Sequence, residues 1–476
     1  MNQTMPSELK GRAWQAMAGV VGAHLIMLRD VEILDDSALE TLLAAVENVR
    51  NSLPSDQSLQ ELVAEFDERV DSNVAQEVRG AALVGRGLAD VLATVVRLIV
   101  REDLLTLAWS LNQARAAFLD LADAHVVSII PAYAGGQPAQ PTTFAHLLGG
   151  VISPLARVTK ILVDVYHAVD QSPMSSVSLA STGLEIDPGR TAVLLGFARI
   201  MDNAFDAVSA VDHVAGALHT ARGAVQPIAR FLDELRVWER TQLDALQFDE
   251  NHVRSDTSLP QFASAGSLQN LASEAENILR LASSAHGAVE TFPYGPVFGP
   301  DHDTLLSAST VLSHATWFLE QCTDFVSNQL RINRAVLANR AGKGMITSSD
   351  LADFLMLEEQ LPPFAARAIA HRTIAAAREQ GREASGITPE FIDSAALLVL
   401  GRELRVEFEA ISRYLAPRRF IERRGLAGGP APATMRAYLE HARNELAQDQ
   451  QWQADIAARV TESMRNLAVA SATSVD

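Results

Sequence analysis

One cysteine, Cys322, occurs in 476 residues, so an intrachain disulfide and a cysteine metal cluster are both excluded. It follows the apolar run ending in Trp317-Phe318-Leu319 and reads as a packed core thiol. Basic residues are also in short supply: 39 Lys and Arg stand against 58 Asp and Glu, a formal charge of -19. That balance makes nonspecific binding to nucleic acid or to an anionic membrane unfavourable. No uncharged apolar run approaches ~18 residues, and Met1-Asn2-Gln3-Thr4-Met5-Pro6 lacks the basic-then-apolar order of a signal peptide. A soluble cytoplasmic chain is expected. His-Glu-x-x-His is absent, and His213 and His219, six apart on one helix, do not share a metal-binding face. Gly85-Arg86-Gly87 and Gly135-Gly136 lack the further glycines and the preceding strand of a phosphate loop. Neither a cofactor nor a metal is indicated.

What the chain does carry is helical periodicity. Hydrophobic residues make up 48% of the sequence, enough for a large core, and the length suggests about three domains. We expect an all-α protein with an N-terminal helical domain over 1–100, a central bundle of long helices over 101–342 and a C-terminal helical domain over 343–476. The central feature is the stretch Asn203 to Glu239, in which Val211, Val214, Leu218, Ala221, Val225, Ile228, Leu232 and Leu235 recur in steps of three and four. At ~1.5 Å per residue such a helix is roughly 50 Å long, so its stripe calls for similar helices beside it, shared between subunits. A kink is expected at Pro227. Helices are also expected over 74–101, 102–130 and 304–339. Pro131 to Pro141, with three prolines and two glycines, reads as a loop, as do Gln171–Asp187, Gln247–Gly266 and Thr291–Asp303.

Those loops carry the specific signal. Residues 131–148 resemble the Tyr-Thr-His-x-Gln-x-Ala-Gln-Pro segment of the argininosuccinate lyases, in the aspartase/fumarase superfamily. Ile186-Asp187, Arg190-Thr191 and Leu194-Leu195-Gly196-Phe197 resemble the next block, which Asn203, Asp206, Ala207, Val208, Ser209 and Asp212 extend. Ile346-Thr347, Asp350 to Leu355, Pro363-Phe364, Ala370-His371 and Gly428-Gly429 follow in the family's order. The resemblance implies a homotetramer whose long helices form one large bundle, with each active site built where three subunits meet. It also implies cofactor-free chemistry on a small molecule: a base removes a proton beside a carboxylate, and a carbon–nitrogen bond breaks to release fumarate.

The functional positions depart from that pattern. Ala134 and Gly135 stand for the family's Thr-His pair, while Tyr133, Gln137, Gln140 and Pro141 match. Ser255 to Ser264 corresponds to the mobile loop, with Asp256 in place of the catalytic serine and Phe262 and Ser264 in place of a substrate-binding lysine and asparagine. Gln269 lies near the position of the glutamate that pairs with the family histidine. Arg69-Val70-Asp71-Ser72 corresponds to the Ser-Arg-Asn-Asp segment, and Val297-Phe298-Gly299 beyond Tyr294 maps loosely to an Asp-Leu-Gln passage. The resemblance therefore points away from ordinary argininosuccinate cleavage and toward a diverged elimination. Asp256 would be the base, with Thr257 and Ser258 beside it; Tyr133, Gln137, Gln140, Arg69, Ser72 and Phe262 would line the substrate. The plainer reading of Asp256-Thr257-Ser258 is a solvated loop, and a noncatalytic scaffold subunit, paired with an active lyase, is the alternative for the whole chain. Arg418, Arg419, Arg423 and Arg424 read as intersubunit ion-pairing residues. Asp301-His302-Asp303 reads as a loop capping a helix that starts near Thr304.

Overall fold

The computed structural model describes residues 5–241, 244–247, 253–255, 263–297 and 301–472. Three helices open the chain: α1 (Ser7–Asp30), α2 (Asp36–Arg50) and α3 (Leu59–Ser72). Their starts follow from local chemistry. The Asp35 carboxylate accepts from Ala38 N at 2.8 Å and caps α2. Ser58 and Glu61 form a reciprocal capping box at α3. Helix α4 (Leu88–Ala124) follows as one 37-residue element, where two shorter helices were expected. No proline or glycine interrupts it, so the bonding ladder runs on through residue 100.

The expected loop at 131–141 is instead a β-hairpin, β1 (Ile129–Ala134) paired antiparallel with β2 (Gln137–Thr143). Gly135 and Gly136 have φ of +58° and +76°, the paired left-handed residues that a two-residue turn with the right twist demands. A two-stranded ribbon is all edge, so its prolines break no interior ladder. Thr143 Oγ1 accepts from His146 N at 3.2 Å and starts α5 (Phe144–Val169). Next come α6 (Pro188–Leu194), capped by Asp187, and α7 (Ala204–Ser209), capped by Asn203.

Helix α8 (Asp212–Thr241) carries the long stripe and continues through Pro227. Val214, Leu218, Ala221, Val225, Ile228, Leu232 and Leu235 are each at most 1% exposed. They are buried by α5 and by two later helices of the same chain, α9 (Gly266–Val289) and α10 (Asp301–Asp324). The stripe is therefore satisfied without a second subunit. Helix α10 starts at Asp301, so Asp301-His302-Asp303 is its first turn rather than a preceding loop. It ends in a wide turn at Phe325–Gln329, so the single helix expected over 304–339 is broken before α11 (Arg334–Ala341).

The remaining helices are α12 (Asp350–Leu357), α13 (Pro363–Glu379), α14 (Pro389–Leu400), α15 (Phe408–Tyr414), α16 (Pro417–Glu422) and α17 (Pro432–Ala472). Helices α12 to α15 build a second apolar core from Leu351 to Leu415. Helix α17, 41 residues long, returns to the first core and lies along α4 and α5. Charged pairs hold it there: Arg443 with Asp120 and Lys160 with Glu445, both at 2.9 Å, Arg115 with Asp449, and Arg459 with Asp170. Among the described residues no helix is long and apolar enough to cross a membrane.

Candidate active site

The hairpin stands at one end of the bundle. Trp238, near the end of α8, lies 6.2 Å from Phe144, the first residue after β2. The same end therefore holds the two short strands that follow α8, Val253–Ser255 and Ala263–Ala265, which pair antiparallel with Arg254 opposite Ser264. Asp256, Thr257, Ser258 and Phe262, the candidate base and its neighbours, fall between those strands in the chain and lie outside the described residues. On the hairpin, Tyr133 is half-buried opposite Pro138, and Gln137 and Gln140 are exposed. Gln140 Nε2 donates to Ser349 Oγ at 3.4 Å, just before α12. His146 ties the hairpin base to the loop before α17: Nε2 donates to the Gly428 carbonyl at 2.9 Å, which leaves Nδ1 to accept from the Thr142 hydroxyl at 2.8 Å.

Arg69 and Ser72 are elsewhere. The Arg69 guanidinium donates to Ser52 Oγ at 2.8 Å and to the Leu53 carbonyl at 3.0 Å, pairs with Glu65 and lies 5.3 Å above the Trp14 ring. Its donors serve the N-terminal helices. Ser72 borders an open cavity of about 440 Å³ with Asp67, Glu68, Asp71 and Arg79. Arg86, just ahead of α4, pairs with Asp67, so this cavity sits at the start of α4, whereas the hairpin follows its end. A helix of 37 residues spans about 55 Å. One chain thus sets the hairpin at the end of the bundle where α8 finishes and keeps Arg69 and Ser72 near the opposite end of α4.

A lyase family model matches residues 30–251. The argininosuccinate lyase of Methanoculleus marisnigri is 29% identical over 437 residues, covering 90% of this chain and 87% of the relative. EDDS lyase in complex with formate superposes with a TM-score of 0.83 at 22% identity, over 98% of this chain and 93% of that one. An EDDS lyase variant with bound fumarate gives 0.84 at the same identity and coverage. At that identity the two structures speak to the fold. The chain is thus similar to the lyase family over residues 30–251 and to argininosuccinate lyases over most of its length, and it shares the fold of EDDS lyase.

In this chain the hairpin turn at Gly135 has no side chain to carry a proton, and its neighbour Ala134 is exposed. Gln269 Nε2 donates to Glu239 Oε2 at 3.0 Å. Glu239 is a carboxylate that sequence reasoning missed: it lies near the end of α8, facing the start of α9. Only the demand of Gln269 for an acceptor could have drawn notice to it.

The remaining sequence candidates are taken up within the chain. Arg423 and Arg424 both donate to Asp350, Arg424 Nη2 at 2.7 Å, and Arg418 and Arg419 pair with Glu422 at 3.0 and 2.8 Å. The cluster expected to pair between subunits is thus paired internally, because Asp350 at the start of α12 is buried and draws two of its members inward. His213 is buried 3.9 Å from Asp212, and burial, with Arg97 nearby, pushes its pKa down to about 4. His302 is buried too, and Asp303 accepts from Leu59 N at 2.9 Å. Among the described residues no three His, Cys, Asp or Glu side chains converge to hold a metal.

Proposed function

We propose that this chain performs proton abstraction and elimination, of the carbon–nitrogen lyase type, on a small substrate other than argininosuccinate. The observation that carries the proposal is the arrangement at the hairpin end of the bundle, where Tyr133, Gln137 and Gln140 share an end with the strands flanking residues 256–262. Asp256 is the base in this reading, Thr257 and Ser258 bind beside it, and Tyr133, Gln137 and Gln140 orient the substrate. Phe262, in place of a cation, suits a substrate with fewer carboxylates, since a buried carboxylate left unpaired costs ~2–5 kcal/mol. Arg69 and Ser72 would join only from another copy. An antiparallel neighbour would set its α3 end beside this hairpin, so assembly as a homotetramer is part of the proposal, as is a cytoplasmic location.

The test is turnover of a panel of succinyl-amine adducts and less charged analogues, followed by ultraviolet absorbance of the unsaturated acid released. Loss of a general base lowers kcat by ~10²–10⁴. Asp256→Asn should do so on whichever substrate is turned over, and unchanged turnover would remove Asp256 from the role. The bare turn at Gly135 and the pairing of Gln269 with Glu239 favour a second reading, a noncatalytic scaffold. In that case no panel member is turned over, and purification from the native host brings down an active lyase chain.

A further inference from the structure

A two-stranded ribbon with no third strand is marginal on its own, so β1 and β2 keep their place only through what flanks them. Helix α11 packs beside β1 and α16 beside β2. The far side of this frame is fixed by charge. Asp350, buried at the start of α12, accepts from Arg424 Nη2 at 2.7 Å and Nη1 at 3.2 Å, and it pairs with Arg423 as well. The Arg424 guanidinium also lies 3.2 Å over the ring of Phe420, which is fully buried on α16. Breaking a buried, doubly paired carboxylate from either side is costly, and this holds α16 against α12.

A tight turn carries that rigidity to the hairpin. The Arg424 carbonyl accepts from Ala431 N at 3.3 Å, and Gly429 N donates to the Leu426 carbonyl at 2.9 Å. A Cβ at Gly429 would collide with the Arg424 carbonyl oxygen, and Gly428 holds φ of +84°, so both positions call for glycine. The turn aims the Gly428 carbonyl at His146 Nε2, and His146 Nδ1 takes the Thr142 hydroxyl of β2. On the same strand Gln140 reaches Ser349, the residue before Asp350. The contacts close a ring that runs from Asp350 through Arg424, Gly428 and His146 to β2, and back through Gln140. We propose that His146 is a positioning residue for the candidate site: its ring locks β2 to the frame of C-terminal helices and so sets where Tyr133, Gln137 and Gln140 meet substrate. This role rests on the hairpin belonging to the site proposed above.

Amide side chains separate the two bonds of His146. Glutamine sets a donor where the imidazole Nε2 donates and offers nothing at Nδ1, whereas asparagine sets an acceptor near Nδ1 and stops short of Gly428. The experiment compares the full chain with His146→Gln, His146→Asn and Gly429→Ala. Hydrogen exchange over residues 133–140 reads the hairpin without substrate, and kcat and KM are measured on whichever member of the panel above is turned over. His146→Asn and Gly429→Ala should each quicken exchange and raise KM by roughly fivefold, the worth of one hydrogen bond, with kcat within about twofold. The thermal midpoint should stay within about 1 °C. His146→Gln should restore wild-type exchange and KM. Since both damaging changes cut one link, the double variant should be no worse than either alone. Unchanged exchange in His146→Asn, equal damage from Gln and Asn, or effects that add in the double variant overturn the proposal. So does quickened exchange with KM unmoved, which would leave His146 a purely structural part. Absence of turnover by the wild type sinks the reaction proposed above and this role with it, whereas wild-type turnover that the variants leave untouched sinks the role alone.

Discussion

Replacing Asp449 with Ala would isolate the Arg115 guanidinium inside the bundle. Arg115 is 0% exposed, and its Nη1 reaches Asp449, with Thr159 Oγ1 at 3.1 Å and Asn112 Oδ1 at 3.4 Å as neutral neighbours. Its Nε and Nη2 have no hydrogen-bond partner among the described residues, so Asp449 is the carboxylate that bonds the cation, with Glu445 a more distant anion. Breaking a buried pair from one side costs about 3–5 kcal/mol, and because the Asp449 side chain is 17% exposed, water entering there favours the lower figure. An unfolding entropy of about 2.1 cal/mol/K per residue gives this chain roughly 1 kcal/mol/K, so the thermal midpoint should fall by about 3 °C. The loss should be local: amide exchange along α17 should quicken most, because α17 carries the missing partner. Arg115→Met with Asp449→Leu should recover most of the stability, since an apolar pair of similar volume substitutes well for a buried ion pair. A shift under about 1 °C, or a double variant no better than Asp449→Ala alone, would refute the reasoning.

Ser175 and Val177 hold φ of +74° and +57°, and the Ser175 hydroxyl is buried without a partner. Ser175→Gly and Val177→Gly should therefore each raise stability by about 0.5–1 kcal/mol in thermal melts, left-handed strain outweighing the entropy glycine adds to the unfolded chain. His24, His213 and His302 are buried with pKa values pushed down to about 4. The unfolded imidazoles take up protons near pH 6.5, so between pH 6.5 and 4 the unfolded state binds more protons and stability falls as the pH falls. Each contributes up to about 3 kcal/mol of that loss, which is complete below pH 4. His213→Phe should flatten the acid limb of a plot of melting temperature against pH, and an unchanged limb would show that His213 is protonated in the folded chain.

The helical scaffold was legible because its signals are short-range. The caps at Asp35 and Thr143 and the stripe on α8 can be read within a few turns of sequence. The hairpin was not, because Pro131, Pro138 and Pro141 mark a loop to any propensity rule. Its strands form because the turn at Gly135-Gly136 has the right twist, not because the residues favour extension. The partners of the α8 stripe were also out of reach. Periodicity shows that Leu218 and Ile228 must be covered, yet not that α5, α9 and α10 of the same chain cover them. For the candidate site, the order of motifs led to Tyr133, Gln137 and Gln140, while Glu239 emerged only when folding set it against Gln269.

Because α17 lies along α4 and α5, the chain is finished late as a physical object. Between the end of α5 at Val169 and the start of α17 at Pro432 lie 262 residues, or about 13–50 s of synthesis at 5–20 residues per second. Throughout that interval the surface that receives Met435, Leu439, Ala442 and Leu446 is uncovered, and Arg115 awaits a counter-charge that has not been made. A ribosome-bound nascent chain of this protein therefore presents an apolar channel with a cation in its floor. That is a surface for a chaperone to shield until α17 emerges and closes it.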